Sequence, residues 1–341
     1  MQTIIRHLCV LLLCAMAGSA RASAATVQGA LKVFVFNIGQ GDAILIVCPH
    51  GTHQLLIDAG ARGYPGSQDA FKNQLRAAMG ADQTIEVAVS THPHEDHIGG
   101  LEWVLASFRV KTFVDSGFAY TSTFAGIPRA VKAQGTAGTL KYFKAKDFPA
   151  SRIADFCPAT NLTAELLIPS GYGASPSNKN NVSVIVLMTY GSQKFLFTGD
   201  AESLEEKQLL QDPGIAPKLH NVALYKVGHH GAETSTTADF LAAIHPVMAV
   251  VSSGCKNVAK NKGYRHPRAA TLDALDATVP GSGQDLRTLQ AGETAKGQWT
   301  VSTIHRGVYA TSVDGGYVIE ADGSAIRKTT QTVAGAPAAC P

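Results

Sequence analysis

The sequence predicts a mixed α/β protein (α+β in the way its strands segregate), with two β-sheets packed face to face and helices covering both outer surfaces. Short runs rich in Val, Ile and Phe, about 4 to 9 residues long and bounded by Gly, Pro or Asp, recur along the chain and read as strands. Stretches of helical period lie between them. Strands cluster at both ends with helices interspersed, and each sheet of such a chain can bury one face on the other sheet and one under helices.

In chain order, strands are expected at 31–38, 43–48, 54–58, 86–90, 112–115, 182–190, 194–198, 222–227, 247–252, 299–305 and 317–321. Helices are expected at 69–78, 97–108, 120–134, 201–211, 235–245 and 267–277. Pro267 suits a helix start, where the missing N–H costs nothing. No internal repeat or long linker divides the chain, so one domain over 25–328 is expected. The Ala-, Thr- and Pro-rich tail 329–341 is expected to be loosely ordered.

Residues 1–24 read as a secretory signal peptide: Arg6 with no acid, a short apolar run from Leu8 to Ala17, and small-x-small sites at Ala20-Arg21-Ala22 and Ala22-Ser23-Ala24. Cys14 follows Leu13 rather than Gly or Ala, which argues against lipoprotein processing. No later run approaches the roughly 18 apolar residues of a membrane span. An exported protein without a span, periplasmic or secreted, is the expectation. Of six cysteines, Cys48, Cys157, Cys255 and Cys340 follow the leader. In an oxidising compartment they can form two disulfides, and sequence leaves all three pairings open.

The formal charge is +3, from 29 Lys and Arg against 26 Asp and Glu. Removing Arg6 and Arg21 leaves about +1, which gives no global footprint for nucleic acid. The basic runs at Lys141, Lys144 and Lys146, and from Lys256 to Arg268, read as solvated surface.

Chemistry concentrates in Thr91-His92-Pro93-His94-Glu95-Asp96-His97. Extended residues two apart share a side, so His92, His94 and Asp96 can converge, and Pro93 keeps the start of the motif out of a helix. His97 sits where the chain turns towards the next helix. Nitrogen and oxygen donors in two clusters suit zinc or a similar divalent ion, one or two of them. Two later strands repeat the design. Residues 194–198 lead through Gly199 to Asp200, a carboxylate with two oxygens that can bridge two cations, or else simply cap the following helix. Residues 222–227 lead to His229-His230-Gly231, where two adjacent rings both need polar partners. His50, His53, His220, His245 and His305 lack such context and read as ordinary surface or core residues.

His-x-His-x-Asp-His, Thr-Gly-Asp and His-His-Gly together resemble the metallo-β-lactamase superfamily. Phe36 to Ala43, Leu56 to Gly60, Asn180 to Ser183 and Tyr264 to Pro267 add a closer likeness to the ComEC-like group, which comprises the soluble domain of a DNA-internalisation competence protein and its exported stand-alone relatives. The resemblance runs over roughly 31–321. It implies a four-layer αββα sandwich with metals at one edge. His92 and His94 would hold one ion, Asp96 and His97 the second, and Asp200 would bridge them. His229 is the expected further ligand to the second ion, with His230 just outside as a support or substrate contact. Asp58 and Asp42 would orient ligands or the nucleophilic water. Many superfamily hydrolases carry a further histidine between the first motif and the bridging carboxylate. This chain has none between His97 and His220, and Asn180 and Ser183 lie near the vacant position, as in the ComEC-like group. The first ion is therefore expected to be the more open one, and manganese is an alternative to zinc. Asp200 stands where some zinc β-lactamases carry cysteine, which argues against that activity.

His266 precedes an expected helix start beside Tyr264 and Arg265, a good place for an anion, so it is a candidate phosphate contact or general acid. Asp96, Asp58 and His266 are the expected catalytic groups. The function expected is a metal-dependent hydrolase acting on a phosphodiester, with nucleic acid or a small exported ester as substrate. Hydrolysis of a carboxylic ester, thioester, lactone or β-lactam is the alternative, and a non-catalytic metal- or nucleic-acid-binding module is the third.

Overall fold

The structure is a computed structural model describing residues 29–60, 67–149, 152–153, 156–158, 160–174, 177–280, 285–294, 297–305 and 307–340. The leader expected at 1–24 lies outside the described residues. The strands in chain order are β1 Leu31–Val35, β2 Ile44–Val47, β3 Gln54–Ile57, β4 Thr84–Ser90, β5 Arg109–Asp115, β6 Lys141–Lys144, β7 Arg152–Ile153, β8 Leu162–Leu167 and β9 Ile185–Tyr190. They continue as β10 Gln193–Phe197, β11 Val222–Lys226, β12 Met248–Val251, β13 Arg287–Gly292, β14 Trp299–Ile304, β15 Val308–Ala310, β16 Tyr317–Ala321 and β17 Ile326–Thr332.

One sheet has the order β17-β16-β1-β2-β3-β4-β5-β6 and the other β15-β12-β11-β10-β9-β8-β7, while β13 and β14 pair apart as a hairpin. Alternation along the strands sorts the side chains into layers. Val33, Ile46, Val87, Val186, Phe195 and Leu224 point between the two sheets and form the central core. Phe34, Leu45, Ala88 and Phe113 point outward, under helices Ser67–Met79, Leu101–Ser107 and Gly126–Thr136. Ile185, Leu196, Tyr225 and Ala249 point outward from the second sheet, under helices Ser203–Gln211, Ala238–Ile244 and Ala269–Thr278. The expected sandwich of two sheets between helices is the fold observed.

Strands β3 to β6 run parallel, as do β10, β11, β12 and β15. Their C-terminal ends therefore open on shared edges, and the loops leaving β3, β4, β10 and β11 carry Asp58, His92, Asp200 and His230.

Several local readings change. The helix expected at 97–108 is split at Gly99-Gly100 into Glu95–Ile98 and Leu101–Ser107. A Cβ on Gly100 would lie 2.5 Å from the Ala59 carbonyl oxygen, so the close approach of these loops requires glycine. Pro267 does not start a helix: Arg268 is the N-cap and the helix begins at Ala269. The tail, expected to be loose, instead continues as β17 to Thr332, buries Val333 and ends in a disulfide between Cys340 and Cys255. Cys48 pairs with Cys157, which resolves the pairings left open by sequence.

Candidate metal centre

Strand β4 ends at Ser90, the chain bends at His92 and Pro93 and is extended again at His94 (φ −87°, ψ 150°), and the His92 and His94 rings stand side by side. Their ring atoms Nε2 and Nδ1 are 2.9 Å apart, and His92 Nε2 lies 3.7 Å from Asp200 Oδ2. The short helix Glu95–Ile98 then turns Asp96 and His97 to the other side. His97 Nε2 is 3.2 Å from Asp200 Oδ1 and 3.3 Å from His230 Nε2. His230 Nε2 is in turn 3.4 Å from both Asp96 Oδ2 and Asp200 Oδ1. Donor atoms bound at about 2.1 Å to a tetrahedral ion stand about 3.4 Å from one another, so both groups have the spacing of a ligand set.

Asp200 divides its oxygens between the groups, Oδ2 towards His92 and Oδ1 towards His97 and His230. It does not cap the next helix: that helix starts at Ser203 with Glu202 as its N-cap. Instead Asp200 is 1% exposed, and Oδ1 lacks a hydrogen-bond partner. A buried orphan carboxylate oxygen among imidazole nitrogens fits a cation. The residues present suit divalent metal, with His92, His94 and Asp200 at one position and His97, His230, Asp96 and Asp200 at the other.

Of the final histidine pair, the member buried in the cluster is His230, where the sequence expected His229. His230 is 1% exposed and points Nε2 at Asp200. His229 stands at the rim, with Nδ1 3.0 Å from Glu202 Oε1 and Nε2 3.7 Å from Asp200 Oδ2, on the side of His92. Both residues adopt left-handed backbone (φ 45° and 54°), which turns two adjacent side chains in a way an extended strand end would not.

Each buried imidazole at the second position is held by its other nitrogen. His97 Nδ1 donates to Asp58 Oδ2 at 2.7 Å, and Asp58 also accepts from the Thr91 amide and hydroxyl. His230 Nδ1 donates to the Ser252 carbonyl at 3.0 Å, with Asp42 Oδ1 at 3.5 Å. Burial alone would lower both histidines, but Asp200 with Asp58 or Asp42 outweighs it and holds each well above the ordinary imidazole value in the metal-free site. His92 goes the other way, held well below that value by burial and then by His97. Asp58 is pushed up by burial, against the pull of His97.

Asn180 and Ser183 lie beside Glu202, His229 and Asp200. Asn180 Nδ2 donates to Glu202 Oε1 at 3.1 Å, and Ser183 Oγ accepts from the Asp200 amide at 3.1 Å. A cleft of ≈530 Å³ opens over the site, and its lining includes Thr121, Phe124, Tyr264, His266 and Arg268. His266 stacks on Tyr264 at 5.8 Å and accepts at Nδ1 from Gln40 Nε2 at 3.5 Å, so Nε2 carries its proton. Burial, then His229, holds its pKa well below the usual imidazole value. With the ring neutral, Nε2–H can donate to an oxygen of a bound anion, which is one of the two roles expected for His266.

Sequence reading assigned no role to Gln40, Glu202 or Lys226, and it read Arg268 as solvated surface, whereas Arg268 is buried. Lys226 sits inside the apolar run Val222–Lys226, where a lysine buried on both sheet faces is the one available signal. Cys48, His50 and Cys157 also cluster, but the disulfide consumes both thiols.

The protein resembles ComE operon protein 3 of Bacillus subtilis (27% identity, 72% of this chain, 30% of that one). It also resembles Recombination protein 2 of Haemophilus influenzae (26%, 68% and 25%). It therefore spans about a quarter to a third of the length of these curated relatives. Among solved structures it is similar to the metallo-beta-lactamase fold protein YhfI from Bacillus subtilis, at TM-score 0.45 and 13% identity over 86% of this chain and 100% of that one. The model of the metallo-beta-lactamase superfamily matches residues 37–254, and the chain belongs to that superfamily of metal-dependent hydrolases.

Proposed function

We propose that the protein is an exported phosphodiesterase that holds one or two zinc ions, with manganese as the alternative, and cleaves a phosphodiester of nucleic acid or of a small ester. The observation that carries this reading is the division of Asp200 between His92 on one oxygen and His97 and His230 on the other, beneath a cleft lined in part by Arg268. Ions held there would act as Lewis acids and bring the pKa of a water near neutrality. Asp58 fixes His97, and the Ser252 carbonyl fixes His230, so both present Nε2 inward without reorganising. Asp96 borders the cleft and can accept a hydrogen bond from the attacking water. The Nε2–H of His266 and the Arg268 guanidinium supply donors for anionic oxygens of the substrate.

The name of one curated relative, Recombination protein 2, supports nucleic acid within this class. Export is supported by the leader pattern and by two disulfides, which persist in oxidising compartments. No helix among the described residues is long and apolar enough to cross a membrane. The test is to assay zinc- and manganese-loaded protein on bis-para-nitrophenyl phosphate, single-stranded DNA and nitrocefin. Cleavage of either phosphodiester is expected, and nitrocefin turnover without it overturns the reading.

A further inference from the structure

Lys226 ends β11, three residues before the His229-His230 pair, and is 1% exposed. Its Nζ lies 2.7 Å from Asp42 Oδ2 and donates to the carbonyls of Val227 at 2.8 Å and Gly199 at 3.3 Å. An ammonium has three donors, and all three are used, so none remains for water or substrate. The three acceptors belong to the three segments that build the second metal position. Asp42 lies on the loop after β1, whose amide donates to the Asp96 carbonyl at 3.0 Å. Gly199 precedes Asp200, and Val227 leads into the histidine pair.

Asp42 has a ligand atom within 4.8 Å of ligand atoms of His97, Asp200 and His230. By position alone it could join Asp96 and Asp200 as a third carboxylate on the second ion. The ammonium opposes this by holding Oδ2 and cancelling its charge, while Oδ1, which has no hydrogen-bond partner, stays 3.5 Å from His230 Nδ1, the ring nitrogen on the side away from Asp200. We propose that Lys226 sets the metal preference of the second position by withholding Asp42 from the ligand set. His97, His230, Asp96 and Asp200 then hold the ion. Two imidazoles and two carboxylates suit zinc, whereas a third carboxylate would shift preference towards a hard, oxygen-seeking ion such as manganese. Lys226 is therefore a positioning residue that acts through Asp42. The inference rests on the metal site of the reading above and not on its substrate.

The test measures Zn²⁺ and Mn²⁺ affinities by chelator competition, and the Co²⁺ absorption spectrum, for wild type, Lys226→Met, Lys226→Arg and the double variant Asp42→Asn/Lys226→Met. In Lys226→Met the Mn²⁺/Zn²⁺ affinity ratio should rise at least about ten-fold, and the Co²⁺ visible bands should weaken as coordination expands. Lys226→Arg keeps the charge, and the double variant removes both charges together, so both should stay within about three-fold of wild type. A folded Lys226→Met with an unchanged ratio overturns the proposal. If Lys226→Met does not fold, the double variant decides, and a loss of more than about ten-fold in affinity there shows that Asp42 is a ligand already. A crystal structure of Mn²⁺-loaded wild type reads the point without substitution: Asp42 bonded to the ion overturns the proposal, and Asp42 on Lys226 supports it. Because every readout is metal binding, a failure to hydrolyse phosphodiesters would sink the functional reading and leave this inference standing.

Discussion

Asp58 Oδ2 lies 2.7 Å from His97 Nδ1, so a carboxylate at the end of β3 fixes an imidazole presented from the end of the neighbouring strand β4. The opposite nitrogen of the same ring is 3.2 Å from Asp200. Asp58→Asn keeps the shape and removes the charge that selects the Nδ1–H tautomer. Removing an outer partner of a ligand histidine typically costs 10 to 100-fold in metal affinity. Calorimetric titration with Zn²⁺ should show a loss of about that size for one ion, with the far-UV circular dichroism unchanged. An affinity within two-fold of wild type would remove Asp58 from the metal machinery.

The raised pKa values of His97 and His230 give a pH dependence with a definite sign. A histidine raised in the native state stabilises the metal-free fold fully below its unfolded pKa, and this is lost as pH rises through the native value. The metal-free protein should therefore lose Tm as pH climbs above the ordinary imidazole range. Metal needs these rings neutral, so binding must release protons and tighten as pH rises. Titrating metal in buffers of different ionisation enthalpy at pH 7 measures the number released, expected to be about one to two. Zero protons at pH 7 would contradict the assignment of these two rings as ligands.

The two adjacent histidines should separate cleanly. His230→Ala removes a donor 3.3 Å from His97 Nε2 and 3.4 Å from Asp200, and should lower affinity for one ion by more than about a hundred-fold. His229→Ala removes a rim residue that contacts Glu202, whose carboxyl is held at about 2 because His229, Asn180 and Thr234 outweigh the effect of burial. It should keep the metal stoichiometry of wild type and lower turnover. Metal counting by mass spectrometry after dialysis checks both, and a lost equivalent in His229→Ala would restore the order expected from sequence.

What was legible in the sequence follows the physics of each signal. Strands such as β4 and β10 are apolar on both faces because each lies between a sheet and a helix layer, so composition alone marks them. Strand β6, Lys141–Lys144, is an exposed edge with charged ends, and β8, Leu162–Leu167, has spacing that also suits a helix, so neither announces itself. The motif from His92 to His97 was legible because its ligands are contiguous. His229 was expected to turn inward and His230 does so, because left-handed backbone at both residues, which the sequence does not announce, decides which ring faces Asp200. The role of Lys226 was not legible because two of its three acceptors, the Asp42 carboxylate and the Gly199 carbonyl, come from segments distant in sequence.

Arg268 should govern substrate affinity rather than turnover. It is 4% exposed, borders the cleft, donates from Nη1 to the Arg265 carbonyl at 3.4 Å, and has Nε 4.0 Å from Glu233 without a hydrogen bond. A charge-assisted hydrogen bond to an anionic oxygen is worth about 1.5–3 kcal/mol. Arg268→Met should therefore raise KM for bis-para-nitrophenyl phosphate about ten-fold or more, with kcat within about two-fold. KM for an uncharged ester should not move. Equal losses on both substrates would mean that Arg268 supports the fold of the cleft wall rather than the anion.

The disulfide between Cys255 and Cys340 joins the loop after β12 to the chain's last residues, across a sequence separation of 85. It holds the tail where Asn37 Nδ2 donates to the carbonyls of Pro337 and Ala338, each at 3.3 Å. Asn37 lies on the same loop as Gln40 and Asp42, so the tail braces the segment that reaches both His266 and Lys226. Closing a loop of that length restricts the unfolded chain by about 4.5 kcal/mol in the entropic account. Cys340→Ser should lower the free energy of unfolding by about 2–4 kcal/mol in urea titration. It should also speed amide exchange in residues 36–43 while leaving exchange in the central strands at the global rate. A stability loss without faster exchange in that loop would show that the tail stabilises the domain without bracing the site.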